Sequence, residues 1–213
     1  MEFTIRKSRP DDAGQIAEIC VLTGAAGEDA RGIEDDLSLL PAIFAEPYLE
    51  HSPQCAWVLE DRVGVCGYAL GVADSRGFAD WMETDWWPDL RLRHRDPGPA
   101  RSAWRASDRW RRWVHHPPHG QLNRLGAWPA HGHIDLLARA RGGGAARPLM
   151  LRMMASVYQS GAGGIHLGVA TANQRALRFY HKLGFLTVAA ASDEETTTVA
   201  RALPVGAEPA TPA

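Results

Sequence analysis

Residues 131–146, HGHIDLLARARGGGAA, decide the fold. The stretch opens as a β-strand, passes through three consecutive glycines, and ends where a helix can begin. Along the strand His131, His133 and Asp135 alternate with Gly132, Ile134 and Leu136, so the three polar side chains share one face. Gly142, Gly143 and Gly144 allow a tight turn that exposes successive N–H groups without Cβ interference. Those donors, with the positive end of the helix that follows, make an anion cradle suited to a pyrophosphate. A glycine loop alone is weak evidence. Its coupling to a second stretch, residues 173–185, NQRALRFYHKLGF, makes it specific.

Working outward from this pair, the pattern predicts a helix over 144–160, a loop over 161–164 and a strand over 165–171. A helix over 174–183 and strands over 185–191 and 196–203 follow. The tail from 204 to 213, PVGAEPATPA, has too few apolar groups to pack and is expected to be disordered. Upstream, residues 3–9 alternate as a strand, and Pro10, Asp11 and Asp12 start a helix whose apolar stripe is Ala13, Ile16, Ala17 and Cys20. A second helix is expected over 33–44, on the spacing of Ile33, Leu37, Leu40 and Ile43 or Phe44. Two strands, 55–60 and 63–72, are joined by a hairpin turn at Asp61 and Arg62. Residues 75–130 then lose regularity. They hold seven of the eight tryptophans and many arginines, with one plausible helix over 100–114.

Bulk properties bound the function classes. A chain of 213 residues accommodates one domain with a substantial core, expected over residues 1–203. A formal net charge of −2 supplies no field for nucleic acid or an acidic membrane. Cys20, Cys55 and Cys66 are odd in number and set in apolar surroundings, as reduced thiols of a cytoplasmic protein would be. The start, MEFTIRKSRPDDAG, has no apolar core of a signal peptide, and no run of eighteen apolar residues could span a membrane. The histidines of HHPPH, at 115, 116 and 119, lack the spacing of a regular zinc site, so no metal is expected. The tryptophans of 75–130 are expected to bury against the sheet with the arginines solvated or paired, rather than to stack on nucleic acid.

The two motifs, in this order of elements, resemble the GCN5-related N-acetyltransferase (GNAT) superfamily. The segment Asn173-x-x-Ala176-x-x-Phe179-Tyr180-x-x-x-Gly184-Phe185 matches that family's second motif without a gap. Its acyl-CoA loop, Arg/Gln-x-x-Gly-x-Gly/Ala, fits in two registers, from Arg139 to Gly144 or from Arg141 to Ala146. The second is preferred, because the family usually has proline three residues before the arginine and Ala138 stands there. Residues 64–91, GVCGYALGVADSRGFADWMETDWWPDLR, are similar to bacterial acetyltransferase-like proteins related to the C-terminal domain of O-GlcNAcase, which carry a comparable insert between the third and fourth strands. Pro148 suits this reading only within the first turn of its helix, where an N–H has no intrahelical partner.

The resemblance implies an α/β fold, with a mixed, mostly antiparallel sheet flanked by helices and the 75–130 lobe near the acceptor site. It implies acetyl-CoA as acyl donor and direct transfer to a primary amine on a small molecule or peptide. Arg141, Gly142, Gly143, Gly144, Ala145 and Ala146 would hold the pyrophosphate. Backbone groups of Leu136 and Leu137 would pair with pantetheine and polarise the thioester carbonyl. Asn173 would bond the pantetheine arm, cap the following helix, or both, and Ala176 and Phe179 belong to the same cofactor-side motif. Tyr180 would give its proton to the departing thiolate.

The amine imposes the remaining demand. A lysine-like amine of pKa about 10.4 carries about 4.6 kcal/mol of protonation preference at pH 7, so a base or a water chain must lie nearby. His133 or His131 is the expected base, with Asp135 as its orienter. Asp74, Asp80, Glu83 and Asp85 are alternative acids that could bind a cationic acceptor. None of the three cysteines lies in either motif, which argues against a covalent acyl-enzyme. A second reading is a domain that holds acyl-CoA or a partner protein without turnover.

Overall fold

The computed structural model describes residues 2–204, without the side chains of 119–121. The expected tail therefore lies, from residue 205 on, outside the described residues. Seven strands form one sheet in the order β1-β2-β3-β4-β5-β7-β6. They are β1 (Thr4–Lys7), β2 (Trp57–Asp61), β3 (Gly64–Val72), β4 (Ala130–Leu136), β5 (Gly164–Ala170), β6 (Leu186–Thr187) and β7 (Thr196–Ala202). Every pairing is antiparallel except that of β4 with β5, which lasts for two register pairs, Ala130 with Ile165 and His131 with His166. Beyond His131 the two central strands part. The sheet is thus mixed and mostly antiparallel, as expected.

Eight α-helices flank it: α1 (Ala13–Thr23), α2 (Leu39–Phe44), α3 (Glu46–His51), α4 (Ser75–Trp81), α5 (Trp87–Arg93), α6 (Asp108–His115), α7 (Ala146–Gln159) and α8 (Gln174–Lys182). One face of the sheet packs α7 and α8, with Leu149, Met150, Met153, Val157, Tyr180 and Phe185 buried. Each fully buried apolar side chain of this kind stabilises the fold by about 1.5–3 kcal/mol. Helix α7 lies directly on the strands. A Cβ on Gly132 would stand 2.4 Å from the Leu70 carbonyl oxygen, and one on Gly71 would stand 2.6 Å from Met153 Sδ. The opposite face packs α1 to α6 through Ile16, Leu39, Tyr48, Phe78, Trp87 and Val114.

Four expectations are corrected. The helix expected over 33–44 begins at Leu39, and Ile33 is exposed. Pro41 has no N–H and is accommodated only in a first turn, which forbids a start six residues earlier. Upstream of it the N–H groups of Asp35 and Asp36 donate to Ser107 Oγ, each at 3.0 Å, instead of propagating a helix. The helix expected over 100–114 begins at Asp108. Its carboxylate accepts from the Arg105 N–H at 2.7 Å, while Asp35 accepts from the Ser107 N–H at 2.6 Å. The strand expected over 185–191 is a two-residue edge, Leu186–Thr187, followed by a 3₁₀ turn at Ala189–Ala191. The hairpin turn sits one residue later than expected, because Asp61 still pairs with Gly64.

Residues 73–129 separate β3 from β4 and form α4, a π-helical turn at Met82–Trp86, α5 and α6. Trp87 is buried there, and Trp81, Trp86, Trp110 and Trp113 pack against the same core. Arg111 bonds Asp108 at 2.7 Å, Arg112 bonds Asp96 at 2.8 Å and Arg91 bonds Glu83 at 2.8 Å. Buried rings and paired arginines are what the sequence reading anticipates. Cys20, Cys55 and Cys66 are free and buried. Among the described residues no helix is long and apolar enough to cross a membrane.

Candidate active site

The gap between β4 and β5 is the structural centre of the site. In an antiparallel pair successive residues turn their backbone groups to alternate sides. The Leu137 N–H donates to the Cys66 carbonyl at 2.9 Å, so Leu137 faces β3, and its own carbonyl accepts from the Ala140 N–H at 2.9 Å. Alternation therefore turns the backbone of Ile134 and Leu136 toward the gap. Of the two residues expected to pair with a pantetheine arm, Leu136 turns its backbone groups toward the gap, as Ile134 does, while Leu137 turns its own toward β3.

Beyond the strand, Ala138–Ala140 form a 3₁₀ turn and residues 141–145 lead into α7. Gly142 and Gly144 have φ of +83° and +81°, conformations that L side chains rarely adopt, and a Cβ on either would meet no atom within 4 Å. Gly142 to Gly144 are exposed, while Ala145 is buried as the anchor of the loop. Ala146 is the first residue of α7, which places Pro148 third in the helix and meets the first-turn condition. Arg141 acts through its side chain on the protein itself. Its Nε donates to the Leu136 carbonyl at 2.8 Å and its Nη2 donates to the Gly27 carbonyl, strapping the turn after α1 across the end of β4. Arg139, the arginine of the other register, bonds Asp61 at 2.8 Å. A pocket of about 350 Å³ lies beside the loop, lined by Phe3, Ile5, Leu59, Gly143, Gly144, Ala145 and Pro148.

From the other side of the gap, Asn173 caps α8 by accepting from the Ala176 N–H at 3.0 Å. This is the capping role; its Nδ2 lies 3.2 Å from where a Cβ of Gly27 would stand. Ala176 and Phe179 are partly buried against the α7 and α8 core, as packing residues would be. Tyr180 is buried, with its ring 5.3 Å from Phe179 and 5.7 Å from Phe185. Burial and the charge of nearby Asp135 raise its pKa, so the hydroxyl keeps its proton at neutral pH. Among the described residues no hydrogen bond engages that hydroxyl.

His131, His133 and Asp135 do project from one face of β4, toward α1 and α3, but the structure does not join them as base and orienter. Asp135 accepts from the Tyr68 hydroxyl at 2.7 Å, with Thr23 beside it, and burial raises its pKa. His133 is held instead by Tyr48, whose hydroxyl lies 2.8 Å from His133 Nε2 and 2.7 Å from His131 Nε2. His131 Nδ1 continues to Ser75 Oγ at 2.7 Å. Burial keeps both histidines uncharged, lowering His133 to about 4 and His131 well below its usual value. Among the described residues Nδ1 of His133 has no partner, and the one buried side-chain nitrogen left without a partner is Trp87 Nε1.

Tyr48, Tyr68 and Ser75 were not singled out from the sequence. Tyr48 belongs to α3, in the stretch between the expected helix 33–44 and strand 55–60 that carries no sequence assignment, and it stands 85 residues before its partner His133. No local signal points to it. Ser75 carries a weak one, since it opens α4 directly behind the capping residue Asp74.

Three of the four alternative acids are engaged by neighbours of their own. Asp74 caps α4, Glu83 pairs with Arg91 and Asp85 accepts from Thr84. His115 and His116 bond the His94 carbonyl at 2.6 Å and Asp96 at 2.8 Å, and the His119 side chain is outside the described residues. Among the described residues no group of three or more His, Cys, Asp or Glu side chains is arranged to hold a metal ion.

The likeness to O-GlcNAcase expected from residues 64–91 is present over most of the chain. Protein O-GlcNAcase of Rattus norvegicus is 24% identical over 189 residues, 88% of this chain, and that of Mus musculus matches equally. The chain spans about a fifth of the length of these curated relatives. The crystal structure of SsHAT, 34% identical, superposes with a TM-score of 0.87 over 95% of this chain and 98% of that one. YncA from Salmonella typhimurium, a putative acetyltransferase solved with its cofactor acetyl-CoA, shares the fold at 18% identity, with a TM-score of 0.53 over 100% of this chain and 99% of that one. The acetyltransferase (GNAT) family model matches residues 29–185, and with the split sheet and glycine loop in place the chain belongs to the GNAT family.

Proposed function

We propose that this protein transfers the acetyl group of acetyl-CoA directly to a primary amine on a small molecule or peptide. One observation carries the reading: β4 parts from β5 beyond His131 and runs on into the glycine loop, where Gly142 and Gly144 have positive φ. Acetyl-CoA would supply the acyl group as a thioester. The loop from Arg141 to Ala146 and the first turn of α7 suit its pyrophosphate, because the first N–H groups of a helix have no intrahelical acceptor and the space beside Gly142 and Gly144 is open. Ile134 and Leu136 would bond the pantetheine arm and the thioester carbonyl through their backbone groups. YncA, with acetyl-CoA bound on the same fold, supports the use of an acyl-CoA.

Tyr180 would donate a hydrogen bond to the sulfur. A phenol whose pKa stands above 10 does not readily surrender its proton to a thiolate of pKa about 8.5, so its action is to stabilise charge rather than to protonate outright. His133, neutral at pH 7, is too weak a base to deprotonate a free ammonium. It can take the proton as the new C–N bond makes the nitrogen acidic, directly or through water. Direct transfer is supported by the cysteines. Burial raises the pKa of all three, Cys66 to about 11, and a thiol held protonated is a poor nucleophile.

Calorimetric titration with acetyl-CoA, desulfo-CoA and ATP tests the reading, followed by thiol release across a panel of amines. Both CoA compounds are expected to bind and ATP not to. Binding without turnover on any amine would replace the proposal by a domain that holds acyl-CoA, and absence of CoA binding would remove the site altogether.

A further inference from the structure

We propose that Ser75 and Tyr48 are positioning residues that lock the tautomer of His133, so that Nδ1 is its proton-accepting nitrogen. The inference rests on the proposed role of His133 as base and adds the chain of groups that orients it. That chain runs from the Pro129 carbonyl through Ser75 Oγ, His131, the Tyr48 hydroxyl and His133.

The direction of every proton in it follows from one end. Ser75 Oγ lies 2.6 Å from the Pro129 carbonyl oxygen, and a carbonyl can only accept, so the hydroxyl donates to it. Turning that proton toward His131 would leave two acceptor oxygens 2.6 Å apart with no hydrogen between them. The Ser75 N–H, donating to the same carbonyl at 2.8 Å, pins the serine in place. With its one proton committed, Ser75 Oγ accepts from His131 Nδ1 at 2.7 Å, so Nδ1 of His131 carries the hydrogen. A neutral imidazole has one N–H, which leaves Nε2 of His131 as a lone pair. The Tyr48 hydroxyl, 2.7 Å away, must donate to it. Tyr48 therefore accepts from His133 Nε2 at 2.8 Å, and the lone pair of His133 is on Nδ1. This is the nitrogen left without a partner among the described residues.

The neighbours keep the chain neutral. His131 stacks on His166 with centroids 5.7 Å apart, and His166 Nδ1 is engaged by the Trp128 carbonyl at 2.7 Å. Phe78 and Phe44 press on the two rings from α4 and α2, at 5.5 Å from His131 and 5.6 Å from His133. No carboxylate touches either imidazole among the described residues. In the reaction the C–N bond forms as the thioester C–S bond breaks and CoA leaves as the thiolate; an amine N–H bond breaks and an N–H bond forms at His133 Nδ1, while Nε2–H stays bonded to Tyr48. Release of the Nδ1 proton to water restores the starting tautomer.

Long-range ¹H–¹⁵N correlation on the full chain with labelled histidine reads the tautomers directly. His131→Gln and His133→Gln assign the two sets of signals. In the unaltered protein Nε2 of His133 is expected to resonate as a protonated nitrogen and Nδ1 as a lone-pair nitrogen, with the reverse at His131. Ser75→Ala is expected to mix the tautomers of both rings, and Ser75→Thr, which keeps the hydroxyl, to restore a single one. A proton on Nδ1 of His133 in the unaltered protein overturns the inference, whether or not any variant folds. So does a folded Ser75→Ala protein with both tautomers unchanged. Turnover separates this inference from the base assignment. If Ser75→Ala mixes the tautomers, kcat should fall about two- to tenfold with the acetyl-CoA Kd unchanged. Mixed tautomers with unchanged kcat would retain the lock and dismiss His133 as base.

Discussion

The two faces of β4 are built from different materials, and in the proposed reaction each would serve one half of the chemistry. Toward α7 the strand presents Ala130, Gly132, Ile134 and Leu136, small or apolar, so that the helix sits against the backbone and the proposed cofactor side would rely on main-chain donors and a glycine loop. Toward α1 and α3 it presents His131, His133 and Asp135, each held by a hydroxyl from a different element: Ser75 of α4, Tyr48 of α3 and Tyr68 of β3. Backbone recognition needs few particular side chains beyond glycine and can be encoded within one short stretch. Side-chain chemistry needs partners that the fold collects from far along the chain. If this division holds, variants on the two faces should separate cofactor affinity from turnover.

His133→Gln is the sharpest break. Removal of a positioned base should lower kcat by about 100- to 10,000-fold while leaving the acetyl-CoA Kd within about twofold. Calorimetry and steady-state kinetics on the same preparation measure both. A parallel loss of cofactor affinity would show that the faces are not independent.

Tyr180→Phe comes next. The phenyl ring keeps the packing on Phe179 and Phe185, so only the hydroxyl is lost, and kcat should fall about 10- to 1000-fold. Unchanged turnover would assign Tyr180 to the core alone.

The division also explains what could be read from the sequence. Strand, glycine loop and helix lie within residues 130–159, and Asn173 to Phe185 form a second contiguous unit, so local periodicity and glycines were enough to place these elements, while the roles expected of Tyr180 and of the loop came from the family resemblance. The orienter of His133 was misplaced for a physical reason. Asp135 is next on the same face, and spacing along a strand makes it the natural partner, whereas Tyr48 comes from 85 residues upstream. The same holds for α2 and α6. Their starts are set by contacts between Asp35, Asp36 and Ser107, some 70 residues apart, which no local propensity contains. Leu137 was named through the family resemblance, and strand alternation turns its backbone groups toward β3.

The polar face should be the acid-sensitive one. His131, His133 and His166 all have lowered pKa values in the folded state, so the unfolded chain binds protons first and stability is lost as pH falls through 6.5. For His133 the window runs from 6.5 down to about 4, and between pH 6.5 and 5 it alone should cost about 1–2 kcal/mol. Asp135 and Glu46 have raised values, so they take up protons more readily when folded and oppose this loss as the pH nears the carboxylate range. Urea midpoints at pH 7 and pH 5 test the balance. His133→Gln should flatten the difference, and an unchanged difference would locate the acid sensitivity elsewhere.

The smallest effect isolates the cradle. At Gly144 a methyl group meets no atom within 4 Å, but φ is +81°, so Gly144→Ala introduces strain without a clash. That strain is about 1–2 kcal/mol. At Gly143 the position is reversed: φ is not in the left-handed region, but a methyl group would lie 3.3 Å from the Phe3 ring. If the cradle works through its backbone shape, Gly144→Ala should weaken acetyl-CoA by about tenfold and leave kcat at saturating cofactor unchanged. Gly143→Ala should shift stability by a few tenths of a kcal/mol and affinity little. Equal losses at both positions would mean that the loop acts by filling space rather than by aiming its N–H groups, and the contrast between the two faces of β4 would lose its cofactor side.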